Sequence, residues 1–172
     1  MISRQHRSTS RSGVTLVEVA IVLPLCLLFI FGIYEYCRYI MVQQLLVNAA
    51  REGARYAVVN TQGKTTADVQ NMVDQRLAGQ SIQLQNYNKT TDIQVYMADP
   101  TTGNPIDTSG NVVAWTSAPF TNAGFGQTIA VRITGTYKPV LPFLGNFNRS
   151  TLTIMPSAVP VQVTCMMNSE AN

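Results

Sequence analysis

Residues 14 to 34, VTLVEVAIVLPLCLLFIFGIY, form a run of 21 residues in which Glu18 is the one charged side chain. Coiled as a helix, such a run covers about 30 Å, the hydrocarbon thickness of a bilayer. It therefore reads as a membrane span or a secretory signal peptide. The flanks favour the span: Arg4, Arg7 and Arg11 precede it with no acid among them, and Tyr34, Tyr36 and Tyr39 follow it. Basic residues mark the cytoplasmic side and tyrosines the far interface, so the N-terminus is expected inside and the bulk of the chain outside. A cleaved secretory signal needs a small-x-small site after the run, and FGIYEYCRYI offers none. A lipoprotein signal needs a small residue before its cysteine, where LPLC has Leu25.

The net charge of +3 does not point to nucleic acid, because the excess lies in Arg4, Arg7 and Arg11; from Val14 onward basic and acidic side chains balance, nine against nine. Charged residues make up 12% of the chain, about half the usual share of a soluble domain. Much of the surface is thus not a charged, solvated one. The three cysteines lack the paired spacing of a zinc or redox site. Cys26 reads as a small hydrophobe within the apolar run. Cys37 and Cys165 are candidates for a disulfide in an oxidising compartment, a pairing that spacing does not decide.

Glu18 is the anomaly of the apolar run, since a carboxylate in hydrocarbon costs on the order of 2 to 4 kcal/mol unless it finds a partner. Cleavage after Gly13 would create one. Val14 would then carry a free ammonium group, with Glu18 four residues on, about one helical turn deeper. Glycine at position 13 also leaves the backbone free to enter a protease cleft. The arrangement resembles the class III signal of type IV prepilins and pseudopilins: a basic leader ending in glycine, then a helix with glutamate at its fifth position.

A second stretch, QQLLVNAAREGARYAV at residues 43 to 58, resembles the segment after the membrane helix in TadE-like proteins, minor pseudopilins of tight-adherence (Flp) pilus systems. GVTLVEVAIVLP, FGIYEYCRY and YKPVLPFLG add to the resemblance, which is strong over residues 13 to 58. It implies insertion in the cytoplasmic membrane, removal of the leader by a prepilin peptidase between Gly13 and Val14, and a part in building or priming a thin adhesive pilus beside other pilin or pseudopilin subunits. It implies no active site and no cofactor. Val14 departs from the aromatic or methionine residue common at the first mature position of major pilins, which leaves N-methylation open.

The helix is expected to continue past the membrane, because residues 34 to 59 lack proline and are rich in helix formers. From Val14 to Val59 this makes a rod of roughly 70 Å, with a kink expected at Pro24. Ala49, Gly53 and Ala57 recur every four residues as a smooth strip that seats either the chain's own sheet or another subunit. Arg51 and Arg55 share another face, and Glu52 can answer only one of them. TTADVQNMVDQRLAG then reads as a short second helix, with Thr66 or Asp68 as cap and Gly79 as its end. The GKT of residues 63 to 65 is not a phosphate loop, since Val58 stands where that motif needs glycine.

Strands follow. Ile93, Val95 and Met97 share one face, as do Ile129, Val131, Ile133 and Tyr137. Leu152, Ile154, Val159, Val161 and Val163 alternate in a last stretch that Pro156 and Pro160 confine to an edge or break in two. The fold class expected is α+β: a leader at 1–13, a transmembrane and extended helix at 14–60, and an extracytoplasmic unit at 61–172 with an antiparallel sheet of three to five strands, one face on the long helix. DPTTGNPIDTSGN between strands is turn chemistry, without the carboxylate spacing of a calcium loop. Trp115 is expected to fill core beneath it. Catalysis is not expected, because the one histidine, His6, lies in the leader. Asp92, Asp99 and Asp107 are the remaining candidates for carboxylate chemistry, supported by proximity in sequence alone. The competing reading is an uncleaved single-pass anchor that presents an adhesin or sensor domain.

Overall fold

The computed structural model describes residues 12–59, 61, 63–77, 79, 84–140 and 158–170, with side chains from Leu16 onward. Residues 1–11 of the expected leader, the stretch LPFLG, and Leu152, Ile154 and Pro156 of the last apolar stretch lie outside the described residues. The elements are helix α1 (Ser12–Val58), helix α2 (Thr66–Arg76), the single turn α3 (Lys89–Asp92), strand β1 (Ile93–Met97), two short 3-10 turns at Trp115–Ser117 and Phe120–Asn122, strand β2 (Thr128–Tyr137) and strand β3 (Val159–Asn168). The layout is α+β, as the periodicity predicts. The chain divides into two compact units, residues 1–37 and 38–172.

In the first unit α1 runs through Pro24 without a break. Its large apolar side chains are exposed, among them Leu16 (72%), Ile21 (70%) and Phe29 (62%). In the second unit the rest of α1 is a core helix. Val42, Leu46, Ala49, Ala50, Ala54 and Ala57 are buried, in one cluster with Val69 and Val73 of α2, Ile93 and Val95 of β1, and Ile129, Val131 and Ile133 of β2. At Gly53 any Cβ would overlap the Cγ2 of Val73 and touch Val131 at 3.5 Å, so α2 and the sheet lie directly against the helix at this residue, with Ala49 and Ala57 buried to either side. Tyr39 packs edge-on against Tyr137 with ring centroids 5.4 Å apart.

The cap of α2 is Thr65, not Thr66 or Asp68. Its hydroxyl accepts from the Asp68 amide at 3.3 Å and the Asp68 carboxylate accepts from the Thr65 amide at 2.8 Å, a reciprocal pair that satisfies two otherwise orphaned donors. The helix ends at Arg76, capped by Leu77, rather than reaching Gly79; Gly79 sits at φ +80° in the turn beyond, a conformation glycine adopts without strain. Lys64, of the GKT stretch, lies 3.8 Å from the Tyr56 ring.

The sheet is antiparallel in the order β1-β2-β3. Ile93 faces Ile133 and Val95 faces Val131 across β1 and β2, while Val131 faces Cys165 and Gly135 faces Val161 across β2 and β3. One face lies on α1. The other is covered at one end, where Tyr96, Ala98, Ala118 and Ala130 form a second small cluster with Val113 and Trp115 packed against it. Trp115 thus serves as packing at the sheet's second face. Pro160 falls within β3, an edge strand, where a missing N–H is tolerated.

Candidate functional site

The apolar segment of α1 is the first feature without a role in the chain's own core. From Leu16 to Phe31 every described side chain is exposed, and α1 is long and apolar enough to cross a membrane. Burying a leucine or phenylalanine side chain is worth about 1.5 to 3 kcal/mol. A dozen such groups left in water would be a heavy penalty, so this surface requires lipid or other apolar helices. Glu18 is exposed on the same surface. Gly13 and Val14 lie in the first helical turn, one turn before it.

The carboxylates of Asp92, Asp99 and Asp107 each accept hydrogen bonds from their own turns. Asp92 accepts from the Asn88 amide at 2.8 Å. Asp99 accepts from the Thr101 amide and from the Thr101 and Thr102 hydroxyls at 2.7 to 2.9 Å. Asp107 accepts from the Ser109 and Asn111 amides, both at 2.9 Å. These amide hydrogen bonds hold the carboxyls of Asp99 and Asp107 below the usual range, the signature of turn-forming acceptors rather than proton donors. Among the described residues no group of three His, Cys, Asp or Glu side chains is placed to hold a metal ion. Cys26, Cys37 and Cys165 are free thiols. Burial pushes the Cys165 thiol up, and the nearby charge of Arg51 opposes that in part.

Three features are not singled out by reading the sequence. Glu35 is 2% exposed, although its place beside Tyr34 and Tyr36 resembles an interfacial position. Gln70 is buried on α2 and donates from Nε2 to the carbonyls of Ile93 at 2.8 Å and Thr90 at 3.3 Å, tying α2 to the start of β1. Arg132 stacks its guanidinium 5.3 Å from the Tyr96 ring and reaches the Gly103 carbonyl at 3.5 Å. The polar character of Gln70 and Arg132 hides their positions from a hydrophobic-pattern reading.

An apolar N-terminal helix followed by an α+β unit defines the class: a protein suited to single-pass anchoring in a membrane. The family model described as TadE-like protein matches residues 13–55, which are the apolar segment and the first part of the core helix. Over that stretch the chain is similar to the TadE-like family. No curated protein and no solved structure matches the chain.

Proposed function

We propose that this chain is a membrane-anchored minor pseudopilin that takes part in assembling or priming a tight-adherence pilus, and that a prepilin peptidase processes it after Gly13. The observation that carries this reading is a coincidence of boundaries. The TadE-like match starts at Gly13 and ends at Arg55, spanning the exposed apolar helix that contains Glu18 and the Ala49 and Gly53 positions of the core helix. The mature N-terminus at Val14 supplies the ammonium that answers Glu18, on the same chain or a neighbouring one, and so fixes the axial register between packed helices. The backbone is helical at Gly13 and Val14, so the peptidase has to unwind the first turn; glycine lowers the cost of that by up to about 1 kcal/mol.

In this reading the N-terminus faces the cytoplasm, α1 crosses the cytoplasmic membrane, and the remaining unit stands outside to meet partner subunits. The protein catalyses no reaction of its own and takes no small-molecule substrate or cofactor; Asp92, Asp99 and Asp107 are occupied in their own turns. The test is Glu18→Gln in the full-length protein. Membrane insertion is expected to persist, because a carboxylate has been removed from hydrocarbon, while pilus assembly falls. Normal piliation by the variant contradicts the register role.

A further inference from the structure

The two edges of the sheet are finished differently. On β1 the outer edge is engaged at both ends: the Met97 amide donates to the Ala118 carbonyl at 3.0 Å, the Met97 carbonyl accepts from Ile106 at 2.9 Å, and the Ile93 carbonyl accepts from Gln70 Nε2. On β3 the outward groups can be assigned from the ladder. Ala98 donates to the Thr128 carbonyl and Gln85 to the Thr136 carbonyl, so even-numbered residues of β2 bond toward β1 and odd-numbered ones toward β3. Their odd-numbered partners on β3 are therefore engaged, and Ser169 continues the pattern by donating to the Gln127 carbonyl at 2.7 Å and accepting from Gly126 at 3.0 Å. The amides and carbonyls of Gln162, Thr164, Met166 and Asn168 point away from the sheet. Pro160 shares that side, where its missing N–H costs nothing. All five residues are exposed, and among the described residues no strand or backbone donor pairs with this edge.

An open edge of this kind is a template for another strand, and proteins usually guard it with charged side chains. Here VPVQVTCMMN carries none. Among the described residues two arginines stand near its middle, while the acid Glu170 lies two residues beyond its end. Arg132, on the face away from α1, places Nε 3.4 Å from the Thr164 hydroxyl. Arg51, exposed on α1, acts on Cys165, the next residue along, whose side chain points to the opposite face. Arg132 thus stands beside the middle of this edge on one face, and the charge of Arg51 is felt at Cys165 on the other. A second copy of β3 brings no acid to answer them.

We propose that the free edge of β3 is a docking site for an extended segment of a partner protein, added as a fourth strand and carrying acidic side chains opposite Thr164 and Cys165. The four outward amides supply affinity through main-chain hydrogen bonds, and Arg51 and Arg132 select the partner by charge. This inference is independent of leader processing and of Glu18.

The test is residue-resolved amide exchange on the full-length protein in detergent micelles, with two capped peptides as probes, TVTEETVT and TVTKKTVT. Adjacent glutamates point to opposite faces and so can reach both arginines. In the protein alone the amides of Gln162, Thr164, Met166 and Asn168 are expected to exchange rapidly, while Val163 and Cys165 are protected by the ladder. The glutamate peptide is expected to slow the four by at least about tenfold, and the lysine peptide to leave them unchanged. Thr164→Pro should abolish the slowing while Val163 and Cys165 stay protected, which reports an intact sheet. Arg51→Gln with Arg132→Gln should weaken peptide binding by about tenfold. Protection of the four amides without any peptide, protection that rises with protein concentration, equal slowing by both peptides, or no slowing by either would each overturn the proposal.

Discussion

The two stretches of α1 are both rich in aliphatic residues, yet they are used in opposite ways. Between Leu16 and Phe31 the helix carries Leu, Ile, Val and Phe around its whole circumference and exposes them. Between Val42 and Val58 the buried apolar residues Val42, Leu46, Ala49, Ala50, Ala54, Ala57 and Val58 follow one stripe, while Gln44, Val47, Asn48, Arg51, Glu52 and Arg55 occupy the exposed side. The second pattern is that of a helix on a protein core. The first is that of a helix with no water-facing side, which in a protein of this class means lipid and neighbouring helices. One continuous helix thus changes solvent along its length, and the TadE-like match covers most of both stretches.

Substitutions that treat the two stretches alike test this contrast most strongly. Leu46→Ala, at a position 1% exposed, should destabilise the second unit by about 3 kcal/mol, read as a lowered unfolding midpoint in detergent. Leu28→Ala in the apolar stretch should change that midpoint by less than about 0.5 kcal/mol; equal effects would break the distinction. Gly53→Ala comes next. Its gain in helix propensity of about 1 kcal/mol opposes an overlap with Val73, and overpacking of that kind costs about 1 to 3 kcal/mol, so a net loss of stability is expected. A net gain would show that α1 and α2 are not closely apposed.

Thr65→Ala should cost about 1 kcal/mol through the lost cap of α2, measured in the same unfolding assay. The smallest effect concerns pH. Asp68, Asp99 and Asp107 all have carboxyls held low by hydrogen bonds, for Asp68 chiefly the Thr65 amide. A folded pKa below the unfolded value, about 3.9 for aspartate, gives stability that is present above that value and lost as pH falls through the folded pKa. The second unit should therefore loosen under acid below about pH 4, and Asp68→Asn should flatten that dependence slightly. An unchanged profile in Asp68→Asn would remove the carboxylate from the capping role.

The sequence makes the elements legible where a single physical rule governs them. Length and apolarity define α1, and alternation places Ile93, Val95 and Met97, then Ile129, Val131, Ile133 and Tyr137, on the core side of the strands. Alternation fails at Tyr96, which is fully buried on the other face, because the turns around Trp115 cover that face from afar in sequence. The cap of α2 is displaced by one residue because TTAD offers two threonines, and only Thr65 has Asp68 three positions on to complete the reciprocal pair. The edge of β3, unpaired among the described residues, is invisible to a hydrophobic pattern, since strand order and the sense of each backbone group emerge only once the strands pair.

Val14 can offer Glu18 an ammonium group only after proteolysis, and the mass of the polypeptide extracted from native membranes reports whether that cleavage occurs. The account predicts a chain that begins at Val14, lighter than the full sequence by residues 1 to 13. A chain that still begins at Met1 or Ile2 would leave Glu18 without its counter-charge and contradict the account.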